Sequence, residues 1–118
     1  MANHSATKFK IVLVPFPFDD LSGNKVRPAV CLTEPVGAYR HVVLAFITSR
    51  IPTVLLPTDL VIEASHPDFS STGLRLSSTL QLHRMMTATT DIILRELGEL
   101  PPEMQDQIKG RLRRMFDL

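Results

Sequence analysis

An arginine followed by a proline, Arg27-Pro28, and the run Thr48-Ser49-Arg50 hold the side chains best suited to chemistry in this chain. Each stands where an apolar run begins or ends. Pro28 pushes the residue before it into extended backbone, so the Arg27 guanidinium leaves a strand start at a fixed angle. A guanidinium is planar, permanently charged and presents its donors as a fork that matches phosphate oxygens. Held there, it can clamp an anion and stabilise negative charge growing on it. A guanidinium holds its proton far above neutrality, which makes it a poor proton donor there. The residues alone leave a second reading equally open, a salt bridge to Asp19 or Asp20 worth about 0–1 kcal/mol if exposed.

Thr48 and Ser49 either cap backbone groups at a strand end or offer hydroxyls to an anion. Arg50 binds a neighbouring phosphate or sits in water. His83 falls on a polar strand face with Arg75 and Gln81, where an imidazole suits proton transfer; the plain alternative is an exposed strand histidine. Lys25, Arg27, Arg50, Arg75 and Arg84 make a positive groove if the fold gathers their loops. Phe16 and Phe18 are the aromatics placed to stack on single-stranded bases, or else they pack in the core. No HExxH or CxxC spacing is present, so metal-independent chemistry without a cofactor is expected.

The elements that must position these residues follow from hydropathy. Ile11 to Val14 and His41 to Ile47 are continuous apolar runs, as in strands buried on both faces. The first strand spans about Lys10–Pro15, ended by Pro15 and Pro17, and the second about Arg27–Thr33. Between them, 19–24 is turn chemistry, with Gly23 and Asn24 suited to positive φ. Glu34 to Gly37 is a further turn, and Asp59–Ile62 a short strand between proline breakers. Over 74–83, Leu74, Leu76, Leu80 and Leu82 alternate with Arg75, Ser77, Thr79, Gln81 and His83. That is a half-buried strand with room for a bend or bulge. Asp91–Leu97 reads as a short helix stopped by Gly98. A last helix starts at Pro101 or Pro102, with Met104, Ile108, Leu112 and Met115 at helical spacing. Short strands followed by a helix suggest a small, strongly curved barrel.

Length and charge narrow the classes. The 118 residues suffice for one domain and one core, with Met1–Thr7 a frayed tail. A net charge of +1 means that nucleic-acid binding must come from a local cluster. A single cysteine, Cys31, forms no intrachain disulfide and fits a reducing compartment. The start lacks the apolar stretch of a signal peptide, and no run reaches the roughly 20 apolar residues of a membrane helix. A soluble cytoplasmic protein is the expectation.

The strand ending Val-Pro-Phe-Pro-Phe, the Asp-Leu-Ser-Gly loop, Lys-Val-Arg-Pro-Ala-Val and Ile-Thr-Ser-Arg together resemble the MazF/PemK family of toxin endoribonucleases (mRNA interferases). The resemblance runs from about Lys10 to the last helix. It implies an SH3-like β-barrel with helices at its side, Arg27 and Thr48 as catalytic residues, and cleavage of single-stranded RNA by 2′-hydroxyl attack. His83 falls where some relatives carry an aspartate proposed as base. The resemblance also implies a homodimer with RNA in a shared groove, and a cognate antitoxin whose acidic disordered segment fills it. Operator DNA would be met only through the antitoxin complex. Lys25, Ser49, Arg50, Arg75 and Arg84 are then the expected RNA contacts. The runner-up is a non-nucleolytic binding protein of the same fold, such as a topoisomerase-inhibiting CcdB-like toxin.

Overall fold

The central strands carry apolar residues on both faces, and the fold buries both. A computed structural model describes residues 6–16 and 25–118. It contains β1 (Lys10–Pro15), β2 (Val26–Cys31), β3 (His41–Thr48), β4 (Asp59–Ile62), β5 (Ser78–Thr89), β6 (Arg95–Glu99) and α1 (Pro102–Phe116). One antiparallel sheet runs β4-β5-β3-β2-β1-β6. It is curled, a mainly β half-barrel with α1 at its side. The expectations for the loop at 19–24, for Pro17, for Phe18 and for most of the N-terminal tail lie outside the described residues.

Side-chain alternation splits the core in two. Ile11, Val30, Ala45, Ile47, Leu80 and Leu82 point to one face, where Met104 and Ile108 of α1 bury against them. Val12, Val14, Ala29, Cys31, Val42, Leu44 and Phe46 point to the other, where Met86, Ile92, Ile93 and Phe16 pack over them. This is why the β1 and β3 runs show no polar alternation. Leu112 and Met115 continue the helix stripe as half-buried contacts, and Glu103 and Arg113-Arg114 sit at the ends of α1 that favour their charges.

Asp91–Leu97 is not a helix. Thr90–Ile92 makes a short 3-10 turn and Arg95–Glu99 pairs as β6 on the outer edge of β1. The Leu94 N–H donates to the Leu13 carbonyl at 2.8 Å. An exposed edge of β1 would leave a row of polar backbone groups, and satisfying them outweighs weak helical spacing. Lys10 bridges this pairing, 3.1 Å from Glu96 and 3.4 Å from Glu99. Hydrogen bonding to Glu96 is the main cause that raises its ammonium pKa.

Gly98 does not stop a helix either. It lets β6 lie against the 3-10 turn Phe69–Thr72: a Cβ on Gly98 would stand 2.3 Å from the Ser71 carbonyl oxygen. Gly73, at φ 73°, passes Leu97 just as closely, its added Cβ 2.0 Å from that carbonyl. Both neighbours are backbone, which cannot yield as a side-chain tip would. The strand expected over 74–83 begins at Ser78 and continues to Thr89. Leu80 and Leu82 are buried as the alternation requires, whereas Leu76 is 63% exposed on the approach to the strand. The pairing shifts register between Ala45 and Ile47, from Ala45↔Met85 to Ile47↔Leu80. That irregularity is the expected bulge, and it bends β5 around the sheet.

Cys31 is fully buried on β2. Burial first, then the charges of Glu34 and Glu96, push its thiol from an ordinary 9.0 up to about 12. Between those values the unfolded thiol ionises while the folded one keeps its proton. The unfolded chain then binds fewer protons, so stability falls as pH rises through that window and is unaffected below it. At pH 8 a thiol reagent should leave the native protein unlabelled and modify it fully in denaturant; rapid native labelling would contradict the burial. Gly98→Ala should lower the urea midpoint by the equivalent of about 2 kcal/mol, and an unchanged midpoint would show that the turn at 69–72 gives way freely.

Candidate functional site

Strand register brings the two chemically interesting segments together. β2 and β3 pair as Cys31↔Leu44, Val30↔Ala45 and Ala29↔Phe46. Continued by two residues, the same register sets Arg27 opposite Thr48. Both share a face with Ala29 and Phe46, since strand side chains alternate with period two. On the other side Arg27 pairs with Val14, and Phe16 lies two residues further along that face. The site therefore forms where one of the two buried faces runs out into solvent.

There a cavity of about 550 Å³ opens, lined by Arg27, Thr48, Lys25, Arg50 and Arg84, with Phe16, Phe46 and Gln81 among its walls. Phe16 is the support for two of the cations. The Arg27 guanidinium carbon lies 5.2 Å from its ring centre and that of Arg84 5.6 Å. Phe46, nearly fully buried, meets Phe16 edge-on with ring centres 5.0 Å apart. An aromatic face attracts a cation by about 0.5–2 kcal/mol depending on desolvation, which offsets part of the repulsion between two converging guanidiniums. The ring expected to stack on bases is thus already engaged with arginines.

The Thr48 hydroxyl oxygen accepts the Arg50 backbone N–H at 3.2 Å. The capping reading of Thr48 is therefore met, and because the oxygen acts as acceptor there, its own O–H still has a proton to donate. The cavity combines forked cations, a hydroxyl donor and an ammonium around one opening. Among its described lining residues there is no carboxylate and no imidazole. Such a lining suits anion binding and the stabilisation of negative charge.

The structure gathers Arg27, Thr48, Lys25, Arg50 and Arg84 but not every expected residue. His83 does not line the cavity; its Nδ1 lies 2.8 Å from the Thr58 hydroxyl on the neighbouring segment. Ser49 and Arg75 line a second, smaller cavity of about 160 Å³, and Arg27 borders both. Gln81 was legible only as a polar strand position, and Phe46 was hidden inside an apolar run. His66 is structural: its Nδ1 accepts the Asp68 N–H at 3.0 Å and its Nε2 lies 2.9 Å from Glu103. Among the described residues no three His, Cys, Asp or Glu side chains converge as a metal site would require.

Residues 7–116 match the family model of the PemK-like, MazF-like toxin of type II toxin–antitoxin systems. No curated protein matches the chain. Among solved structures, the Mycobacterium tuberculosis toxin MazF-mt6 is similar with a TM-score of 0.70 at 22% identity, over 92% of this chain and 97% of that one. MazF from Deinococcus radiodurans gives 0.67 at 18% identity, over 94% and 96%. A mycobacterial endoribonuclease in complex with its cognate antitoxin gives 0.64 at 20% identity, over 94% of each chain. At these identities the likeness is one of fold.

If Lys25, Arg27, Arg50 and Arg84 each take one phosphate, affinity for a single-stranded DNA oligonucleotide should fall with salt at a log–log slope of about −3. Arg84→Ala should flatten that slope by about 0.7. Fluorescence anisotropy across a salt series measures it, and an unaltered slope would remove Arg84 from the anion site.

Proposed function

The chain belongs to the PemK-like, MazF-like toxin family of type II toxin–antitoxin systems, and from that membership we propose that it is an endoribonuclease acting on single-stranded RNA, messenger RNA in the simplest case. The observation that carries the reading is the placement of Arg27 and Thr48 on one cavity, at facing positions of adjacent strands. A 2′-hydroxyl of the substrate attacks the neighbouring phosphorus, and the bond to the 5′-oxygen of the next nucleotide breaks. The products are a 2′,3′-cyclic phosphate and a 5′-hydroxyl, with no external nucleophile required.

In that reaction negative charge builds on the non-bridging oxygens as the phosphorus becomes five-coordinate. Arg27, held against Phe16, presents two N–H donors to those oxygens. Thr48 donates its O–H to a phosphate oxygen and fixes its orientation. Lys25, Arg50 and Arg84 neutralise the flanking phosphates, which a chain of net charge +1 achieves only by concentrating cations locally. The attacking hydroxyl gives its proton to water and the departing 5′-oxygen takes one from water, since His83 lies against Thr58 and does not line the cavity.

The same membership supports a homodimer, an antitoxin that occupies the cationic cavity, and contact with operator DNA only as the toxin–antitoxin complex. The solved mycobacterial relative bound to its antitoxin is in keeping with this partner. Among the described residues no helix is long and apolar enough to cross a membrane. The proposed substrate, messenger RNA, goes with a cytoplasmic location.

A mixed RNA pool incubated with chelator should be cut to 5′-hydroxyl ends, and replacing the attacking 2′-hydroxyl by hydrogen at a mapped site should abolish that cut. Arg27→Ala should slow cleavage by about 100- to 1,000-fold with folding intact, and Thr48→Val should slow it in kcat. Undiminished cutting by Arg27→Ala would refute the mechanism. No cleavage of any RNA, with inhibition of a topoisomerase, would establish the binding-protein alternative instead.

A further inference from the structure

We propose that the smaller cavity beside Arg27 is a base slot, that it holds the nucleobase adjoining the scissile phosphate, and that Arg75 reads that base. The inference rests on the ribonuclease reading above and adds a determinant of sequence choice. Its starting point is that one guanidinium, that of Arg27, borders both cavities. In a single strand a phosphate separates two nucleosides, so a phosphate clamped on a shared wall sends one neighbouring base to each side.

The two sides differ in size. The larger cavity, about 550 Å³, accommodates a length of strand, whereas the smaller is about 160 Å³. That is the bulk-liquid volume of about five waters, the scale of one flat heterocycle. Its walls suit a ring: Pro28, Ile47, Leu74 and Leu76 supply apolar faces, while Ser49 and Arg75 supply a polar edge. Leu76, 63% exposed, is a large apolar side chain left at the mouth. A base stacked there would cover it.

The segment carrying Arg75 is held in place before any ligand arrives. The Leu74 N–H donates to the Thr72 hydroxyl at 3.1 Å, and the Ser78 hydroxyl donates to the Leu76 carbonyl at 2.9 Å. Ser77 accepts the Ala64 N–H at 2.7 Å from the far side. Arg75 itself is exposed and makes no ion pair among the described residues. Its guanidinium offers donors only, so it selects a base edge with adjacent acceptors. Guanine, through O6 and N7, is the base that takes such a fork in two hydrogen bonds.

The test is sequencing of cut ends from a random RNA pool with wild-type protein, Arg75→Ala and Arg50→Ala. Wild type should favour guanine at one of the two positions flanking the cut. Arg75→Ala should relax that single position by about tenfold. Arg50→Ala, which alters the larger cavity, should slow cutting while retaining the preference. An unchanged preference in Arg75→Ala, or none at either flanking position in wild type, would overturn the slot while leaving the nuclease reading intact. Wild-type protein that cuts no RNA would overturn both.

Discussion

Burial of the sheet on both faces is the constraint from which the rest follows. A charged side chain inside β1, β2 or β3 would be sealed away from water on whichever face it took, at a cost no exposed pair repays. Polar chemistry can appear only where the strands run out. Phe16 just beyond β1, Arg27 at the start of β2 and Thr48 at the end of β3 are those places, and antiparallel pairing carries all three to the same rim. The shared face of Val14, Ala29 and Phe46 then dictates that they open onto one cavity rather than onto opposite sides.

What could be read from the sequence was what is local. Apolar runs bounded by prolines marked β1 and β4 to the residue, and the spacing of Met104, Ile108, Leu112 and Met115 marked α1. Asp91–Leu97 misled because its pairing partner, β1, lies more than 80 residues earlier, and no local pattern records an unsatisfied edge that distant. The second half of β5 was missed for a related reason. Its residues 84–89 follow a bulge, after which the alternation changes phase.

The site was legible in the same partial way. Arg27 stood out because Pro28 fixes its backbone, but that it faces Thr48 depends on a register that sequence order does not state. The arginine-bearing role of Phe16 was invisible, since a ring between prolines looks alike whether it stacks on a base or beneath a guanidinium. His83 shares a polar strand face with Gln81, yet only Gln81 reaches the cavity. Any ligand that binds the folded chain and not the unfolded one at this rim would stabilise the fold in step with its occupancy.

The pairing of β1 with β6 bears on how the chain is made. Lys10 and Glu99, joined across that edge, are 89 positions apart. As synthesis proceeds from the N-terminus, β1, β2 and β3 can zip together early, and with them the rim that carries Arg27 and Thr48. The outer edge of β1 then has no strand beside it, nor α1 over its other core, until nearly the whole chain has emerged. Long-range closure of this kind is slow relative to local pairing. A toxin assembled in that order acquires its rim residues first and its protective cover last, which leaves an interval in which a nascent partner could meet an unfinished sheet.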